Sequence, residues 1–366
     1  MHRKRLLLAL TLAVATFSLG PARPAAATEP EHSGRLLAVE VHGPSLENNL
    51  LGFSTRRDVR IYLPPSYDDA TGRRYPTLYV LHGITDPVTV WTETWSGVEE
   101  GWGTLQDLMD RGIASGRLEE MILVMLDGRT PFFGSHYANS SVKGNWQDYI
   151  AEDLVAWVDS QYRTLAAAPS RGVMGHSMGG HGAIRLGLDR PDVFRVVYGL
   201  SPSLLGWGGD VSADNPAFEL LLSDDPSQHF DTNFYVVAAI GVSQAFSPNP
   251  DRPPYFADYP FRLEGGALVP DPQAHARWEA NFPANRIEAY LSQPHRLVGL
   301  RFDSAFRDEF THIPPTSRAF SEALTAKGVE HRFEMFNGDH RNRLWGPRGR
   351  LATEVLPYFS QLLERD

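Results

Sequence analysis

Apolar residues along this chain fall into short unbroken runs separated by longer amphipathic stretches. Thr77–Leu81 (TLYVL) and Met121–Leu126 (MILVML) are apolar almost throughout and stop at His82-Gly83 and Asp127-Gly128. Asp58–Leu63 (DVRIYL) alternates and ends at Pro64-Pro65. Arg171–Met174, Val193–Leu200, Arg296–Phe302 and His331–Phe336 complete the predicted strands. Runs that are apolar on both faces suit a parallel sheet covered on both sides. Helical spacing lies between them. In Trp146–Tyr162, residues Tyr149, Ile150, Leu154, Trp157 and Val158 share one helix face. Gly179–Leu188, Thr316–Lys327 (stopping at Gly328) and Arg348–Leu363 are the other predicted helices. Strands alternating with helices predict an α/β fold with a doubly wound, mostly parallel sheet.

One region breaks the alternation. From about Leu204 to Pro294 the chain is rich in Pro, Gly, Asp and Asn, as in SPNPDRPPYFADYPF (Ser247–Phe261). A structureless stretch of that length does not fit a compact core. The pattern predicts an insertion with helices of its own over the edge of the sheet, a cap-like segment.

Composition narrows the class. The chain has 366 residues, 42% hydrophobic and 21% charged, which is globular. The first residues read differently. MHRKR is basic, LLLALTLAVATFSLG is apolar, and Ala25-Ala26-Ala27 offers a small-residue cleavage site. That is the layout of a secretory signal peptide over residues 1–27. It predicts a secreted or periplasmic protein whose residues 28–366 form a single domain. The apolar run is short for a membrane span, which needs roughly 20 residues. Losing Arg3, Lys4, Arg5 and Arg23 takes the net charge from −10 to −14. An acidic body argues against nucleic acid or an anionic membrane as partner. With no cysteine, disulfides, thiolate nucleophiles and cysteine metal sites are excluded.

The candidate chemistry starts at GHSMGG (Gly175–Gly180), where three glycines surround Ser177. Such clustering needs a steric reason. The G-x-S-x-G turn between a strand and a helix, which lifts a serine hydroxyl out of the backbone, supplies one. A serine hydroxyl becomes nucleophilic only when a base takes its proton, and the base needs a carboxylate to hold it. On this fold the order is serine, acid, histidine. His340 follows the last predicted strand, in Asn337-Gly338-Asp339-His340. Asp303, Asp308 and Glu309 follow the one before it. An oxyanion needs backbone donors. The N–H of Met178, after the nucleophile, is one; the N–H of Ile84, in LHGIT, is the other. His176 and His181 read as packing or turn residues and His82 as a loop stabiliser. No HExxH motif or close His/Asp cluster suggests a metal, and no cofactor is implied. Trp91, Tyr137 and Trp345, with Tyr255 or Phe256 from the insertion, are candidates for an apolar substrate pocket.

Together TLYVLHGITD, MILVMLDG, GSHYANS, QDYIAEDLVAWVDSQYRT, RGVMGHSMGGHGAIRLGLDRPDVF, LSPS and FEMFNGDHRNRLW resemble the putative esterase family of α/β hydrolases. That family includes S-formylglutathione hydrolases, feruloyl esterases, siderophore esterases and bacterial mycolyltransferases. The resemblance implies the α/β-hydrolase fold, Ser177 as nucleophile, His340 as base, and Met178 and Ile84 at the oxyanion. It favours Asp308 as the acid, because the family places that carboxylate a few residues past the strand. Leu204–Pro294 departs from the family pattern. The expected activity is a secreted serine carboxylic-ester hydrolase with an acyl-enzyme intermediate, acting on a small or polymer-linked ester. An acyltransferase to a sugar or lipid alcohol and an inert binding module are the alternatives. Stable membrane insertion is not expected.

Overall fold

A computed structural model describes residues 33–94 and 97–365. The expected signal peptide therefore lies outside the described residues. Eight strands form the main sheet: β1 (Arg35–His42), β2 (Arg56–Leu63), β3 (Thr77–Leu81), β4 (Ile122–Leu126), β5 (Arg171–His176), β6 (Val196–Leu200), β7 (Gly299–Ala305) and β8 (Arg332–Phe336). Their order is β1-β2-β4-β3-β5-β6-β7-β8. The strands from β4 to β8 pair in parallel, while β1 with β2 and β2 with β4 are antiparallel. This is a doubly wound, mostly parallel α/β sheet.

Strand alternation divides the core. Tyr79, Leu81, Val124, Leu126, Val173 and Val197 point to one face and meet the helical segment 146–161 and the helices Met178–Asp189 and Ile313–Ala326. Leu78, Val80, Leu123, Met125, Met174 and Tyr198 point to the other face. There they meet the helix Leu105–Ala114 and the C-terminal helical segment Leu351–Leu362. Both faces are apolar and covered, which is why these strands carry unbroken apolar runs.

Two elements were not legible from periodicity. β1 is an edge strand with all but one of its residues exposed or half-buried, so its apolar signal is diluted. The helix Leu105–Ala114 starts with a capping box. The Thr104 side chain accepts from the Asp107 N–H, and the Asp107 carboxylate accepts from the Thr104 N–H. Several strand ends also shift. Val193 and Phe194 belong to the turn closing onto the Arg190 carbonyl, so β6 begins at Val196. β7 runs on to Ala305, which puts Asp303 inside the sheet.

The region 204–294 holds the helices Phe234–Phe246 and Pro272–Asn281 and a small hairpin, Phe261–Glu264 with Ala267–Pro270. It builds its own apolar cluster around Phe218, Phe246, Phe261 and Trp278. Its residues Leu204, Phe218 and Phe234 share a cleft with Ile84 and Ser177, which follow β3 and β5. Lys143 fixes part of it there. This fully buried lysine donates to the carbonyls of Gly134, before the segment, and Gly241, within it, at 2.5 and 2.8 Å. Burial lowers the pKa of Lys143 to about 7.

Candidate active site

β5 delivers His176, the chain turns at Ser177, and a helix starts at Met178. Ser177 has φ 57° and ψ −116°, a conformation that costs free energy for a non-glycine residue. Backbone bonds hold it there. Its N–H donates to Leu200 O at 2.9 Å, and its carbonyl accepts from the His181 and Ser203 N–H groups at 3.0 and 3.1 Å. The surrounding glycines are required by close backbone packing. A Cβ at Gly175 would stand 2.3 Å from the Gly179 carbonyl carbon, and one at Gly179 would stand 2.2 Å from Leu81 O. Gly179→Ala is therefore expected to destabilise the protein by roughly 1–3 kcal/mol or more, since neither backbone can retreat cheaply. An unchanged melting temperature would show that reasoning to be wrong.

His340 lies on the loop after β8. Its Nδ1–H donates to Asp308 Oδ2 at 2.8 Å. Its backbone N–H donates to Glu309 Oε2 at 3.0 Å. Its ring packs edge-on against Phe310, with centroids 4.7 Å apart. The loop is tied to the serine turn by His176, whose Nε2–H donates to His340 O at 2.9 Å. The two imidazole rings lie 4.6 Å apart. Burial disfavours charge on both members of the Asp308–His340 pair. It lowers the pKa of the His340 imidazole and raises that of the Asp308 carboxyl, to about 7 for Asp308. With the carboxylate accepting from Nδ1, Nε2 is left as the bare, basic nitrogen.

The three acids left open by the sequence have different partners. Asp303 is fully buried, taking bonds from the Ser201 N–H, the Tyr198 hydroxyl and Arg350 Nε. Glu309 meets the backbone of His340. Only Asp308 among them bonds the His340 imidazole.

The LHGIT loop lies against the serine turn: a Cβ at Gly83 would be 3.5 Å from Ser177 Cβ. His82 braces this loop. Its Nδ1–H donates to Gly83 O at 2.7 Å, and its Nε2 accepts from the Gly128 N–H at 2.8 Å. Ile84, Met178 and Ser177 line one open cleft together with Phe218, Phe234 and Trp278 of the insertion. Among the described residues, no group of three or more His, Asp or Glu could hold a metal.

Several expected pocket residues lie elsewhere. Tyr137 is fully buried, with its hydroxyl donating to His82 O at 2.9 Å, and it fills the space left by Gly128 and Gly182. Its expected substrate contact is corrected: it supports the loop from behind. Trp91 and Trp345 sit 6.0 Å apart and line a separate, smaller recess with Asp86, His176 and Arg341. Tyr255 packs on Phe132 and Phe230, and neither Tyr255 nor Phe256 lines the cleft. His181 packs inside, with Nδ1 facing Leu204 O at 3.2 Å.

A family model described as Putative esterase matches residues 52–355, which include Ser177, Asp308 and His340. The chain belongs to this esterase family. It is 32% identical over 128 residues to Esterase MT1326 of Mycobacterium tuberculosis (35% of this chain, 25% of that protein). It is 29% identical over 137 residues to an endo-1,4-beta-xylanase/feruloyl esterase of Xylanibacter ruminicola (37% of this chain, 18% of that protein). This esterase-family chain thus spans a quarter or less of the length of these curated relatives. A solved ferulic acid esterase superposes with a TM-score of 0.61 at 20% identity, covering 90% of this chain and 98% of that one. At that identity the superposition speaks for the fold.

Sequence reasoning missed two residues that join the site's loops in this member of the family. His176 reaches His340, and Asp86 takes an ion pair from Arg341 at 2.9 Å. The signal for Asp86 was present at the end of TLYVLHGITD. None existed for His176, whose partner is 164 residues away.

Proposed function

We propose that this protein is an exported serine carboxylic-ester hydrolase. Ser177 attacks the ester carbonyl, His340 Nε2 takes the hydroxyl proton, and Asp308 holds the imidazole. The N–H groups of Met178 and Ile84 receive the developing oxyanion. His340 then protonates the departing alkoxide, leaving an acyl-enzyme. Water, deprotonated by the same imidazole, releases the acid and restores Ser177. The 204–294 segment serves as a cap that shapes the acyl pocket. The basic, then apolar, then small-residue N-terminus supports export.

The observation that carries the reading is the 2.8 Å Asp308–His340 bond on a loop fastened to the strained Ser177 turn. Two carboxylate neighbours and a serine turn on separate strand ends have no structural need to converge this way. A tagged fluorophosphonate tests it directly. Labelling is expected at Ser177, mapped by peptide mass spectrometry, and absent from Ser177→Ala. A wild-type protein that stays unlabelled while folded would refute the nucleophile.

A further inference from the structure

Asp210 and His312 form a second carboxylate–imidazole pair, on the wall of the cleft that holds Ser177. Asp210 comes from the insertion, and His312 directly precedes the helix Ile313–Ala326. Asp210 Oδ1 accepts from His312 Nδ1–H at 2.6 Å and from the His312 backbone N–H at 2.9 Å. Asp210 Oδ2 accepts from the Tyr235 hydroxyl at 2.7 Å. With three donors around it, Asp210 stays a carboxylate. In the neutral form of this imidazole the Asp210 contact keeps the proton on Nδ1, which makes Nε2 an acceptor.

Among the described residues no group reaches that Nε2, and His312 is only 4% exposed. A second cleft residue, His136, is 1% exposed, and neither of its ring nitrogens has a partner among the described residues. Burial holds the His136 imidazole well below the ordinary value, so it is neutral. The remaining lining is largely apolar, with Phe218, Phe234, Val242 and Trp278. Buried polar atoms without partners are costly, and a pocket for a plain hydrocarbon acyl chain has no use for them. The charge on Asp210 disfavours a second carboxylate on the ligand. A neutral O–H suits a bare imidazole nitrogen.

We propose that His312, oriented by Asp210, selects esters whose acyl part carries a neutral hydroxyl group, which donates its hydrogen to Nε2. The inference rests on the reading of Ser177 as the acylated residue and goes beyond it by naming the class of acyl group. It ascribes no chemical step to His312; Asp210 acts through it as a positioning residue.

The test uses two matched pairs of 4-nitrophenyl esters. They are 3-phenylpropanoate against 3-(4-hydroxyphenyl)propanoate, and hexanoate against 6-hydroxyhexanoate. In at least one pair the wild-type protein is expected to favour the hydroxylated ester by about tenfold in kcat/KM, mostly through KM. His312→Phe should bring that ratio to about one, and His312→Gln, which keeps an acceptor, should restore part of it. Wild-type ratios near one in both pairs overturn the inference without any variant, as does a preference that survives in His312→Phe. Should no ester be turned over, the methyl esters of the same four acids are titrated calorimetrically into Ser177→Ala. Tighter binding of a hydroxylated member then supports the pocket while the serine reading fails; equal affinities overturn the pocket as well.

Discussion

Ser177→Ala is expected to lower ester turnover by about 10⁶-fold in kcat, the scale seen when the nucleophile of a serine triad is removed. The loss should fall on kcat rather than KM, because the cleft lining and the backbone N–H groups of Met178 and Ile84 remain. Alanine should also fold well. The turn is held by backbone bonds to Leu200, His181 and Ser203, none of which uses the hydroxyl. Steady-state kinetics on 4-nitrophenyl esters, with circular dichroism as a control, checks both halves. A folded variant keeping more than about 1% of wild-type kcat would mean that another group, such as a water, attacks the carbonyl.

The second large effect is expected for Asp308→Asn: a loss of about 10⁴-fold in kcat. An asparagine amide that donates toward Nδ1 stabilises the tautomer with its proton on Nε2, and that nitrogen can no longer accept from Ser177. Stability should move the other way. Burial raises the Asp308 pKa from 3.8 to about 7 in the folded protein, so the folded state holds this proton more tightly than the unfolded state does. The stabilising contribution is complete below about pH 3.8 and is lost as pH rises through about 7. At pH 8 the carboxylate burdens the fold, and the neutral amide should melt no lower than the wild type. Asp303→Asn makes the contrast. It removes the charge facing buried Arg350, so it should lower the melting temperature strongly while the surviving folded fraction keeps its turnover. Full activity in Asp308→Asn, or a dead but stable Asp303→Asn, would reassign the acid.

The comparison of the two aspartates shows how far the chain could be read directly. Both follow the same apolar run, and both fit a serine–acid–histidine order. What separates them is where β7 ends. Its extension to Ala305 buries Asp303 against Tyr198 and Arg350 and leaves Asp308 on the loop facing His340. A strand end depends on pairing with its neighbours, here β6 and β8, and no local pattern encodes that. The aromatic residues tell the same story. Tyr137 and Trp91 look alike as apolar residues near motif segments. One is wedged behind the His82 loop and the other faces the smaller recess.

The covered parallel sheet, most of its crossover helices and the glycine-rich serine turn were determined by sequence alone. Each rests on short-range physics: two-faced apolar runs, helical spacing, and positions where a Cβ cannot fit. Tertiary structure decided the rest. It chose which carboxylate meets His340, brought His176 and Asp86 to the histidine loop, and folded residues 204–294 against Ser177. It also set Asp210 beside His312, 102 residues apart in the chain. These are contacts between distant segments, fixed by how the strand ends and the insertion pack, and a chain read locally carries no record of them.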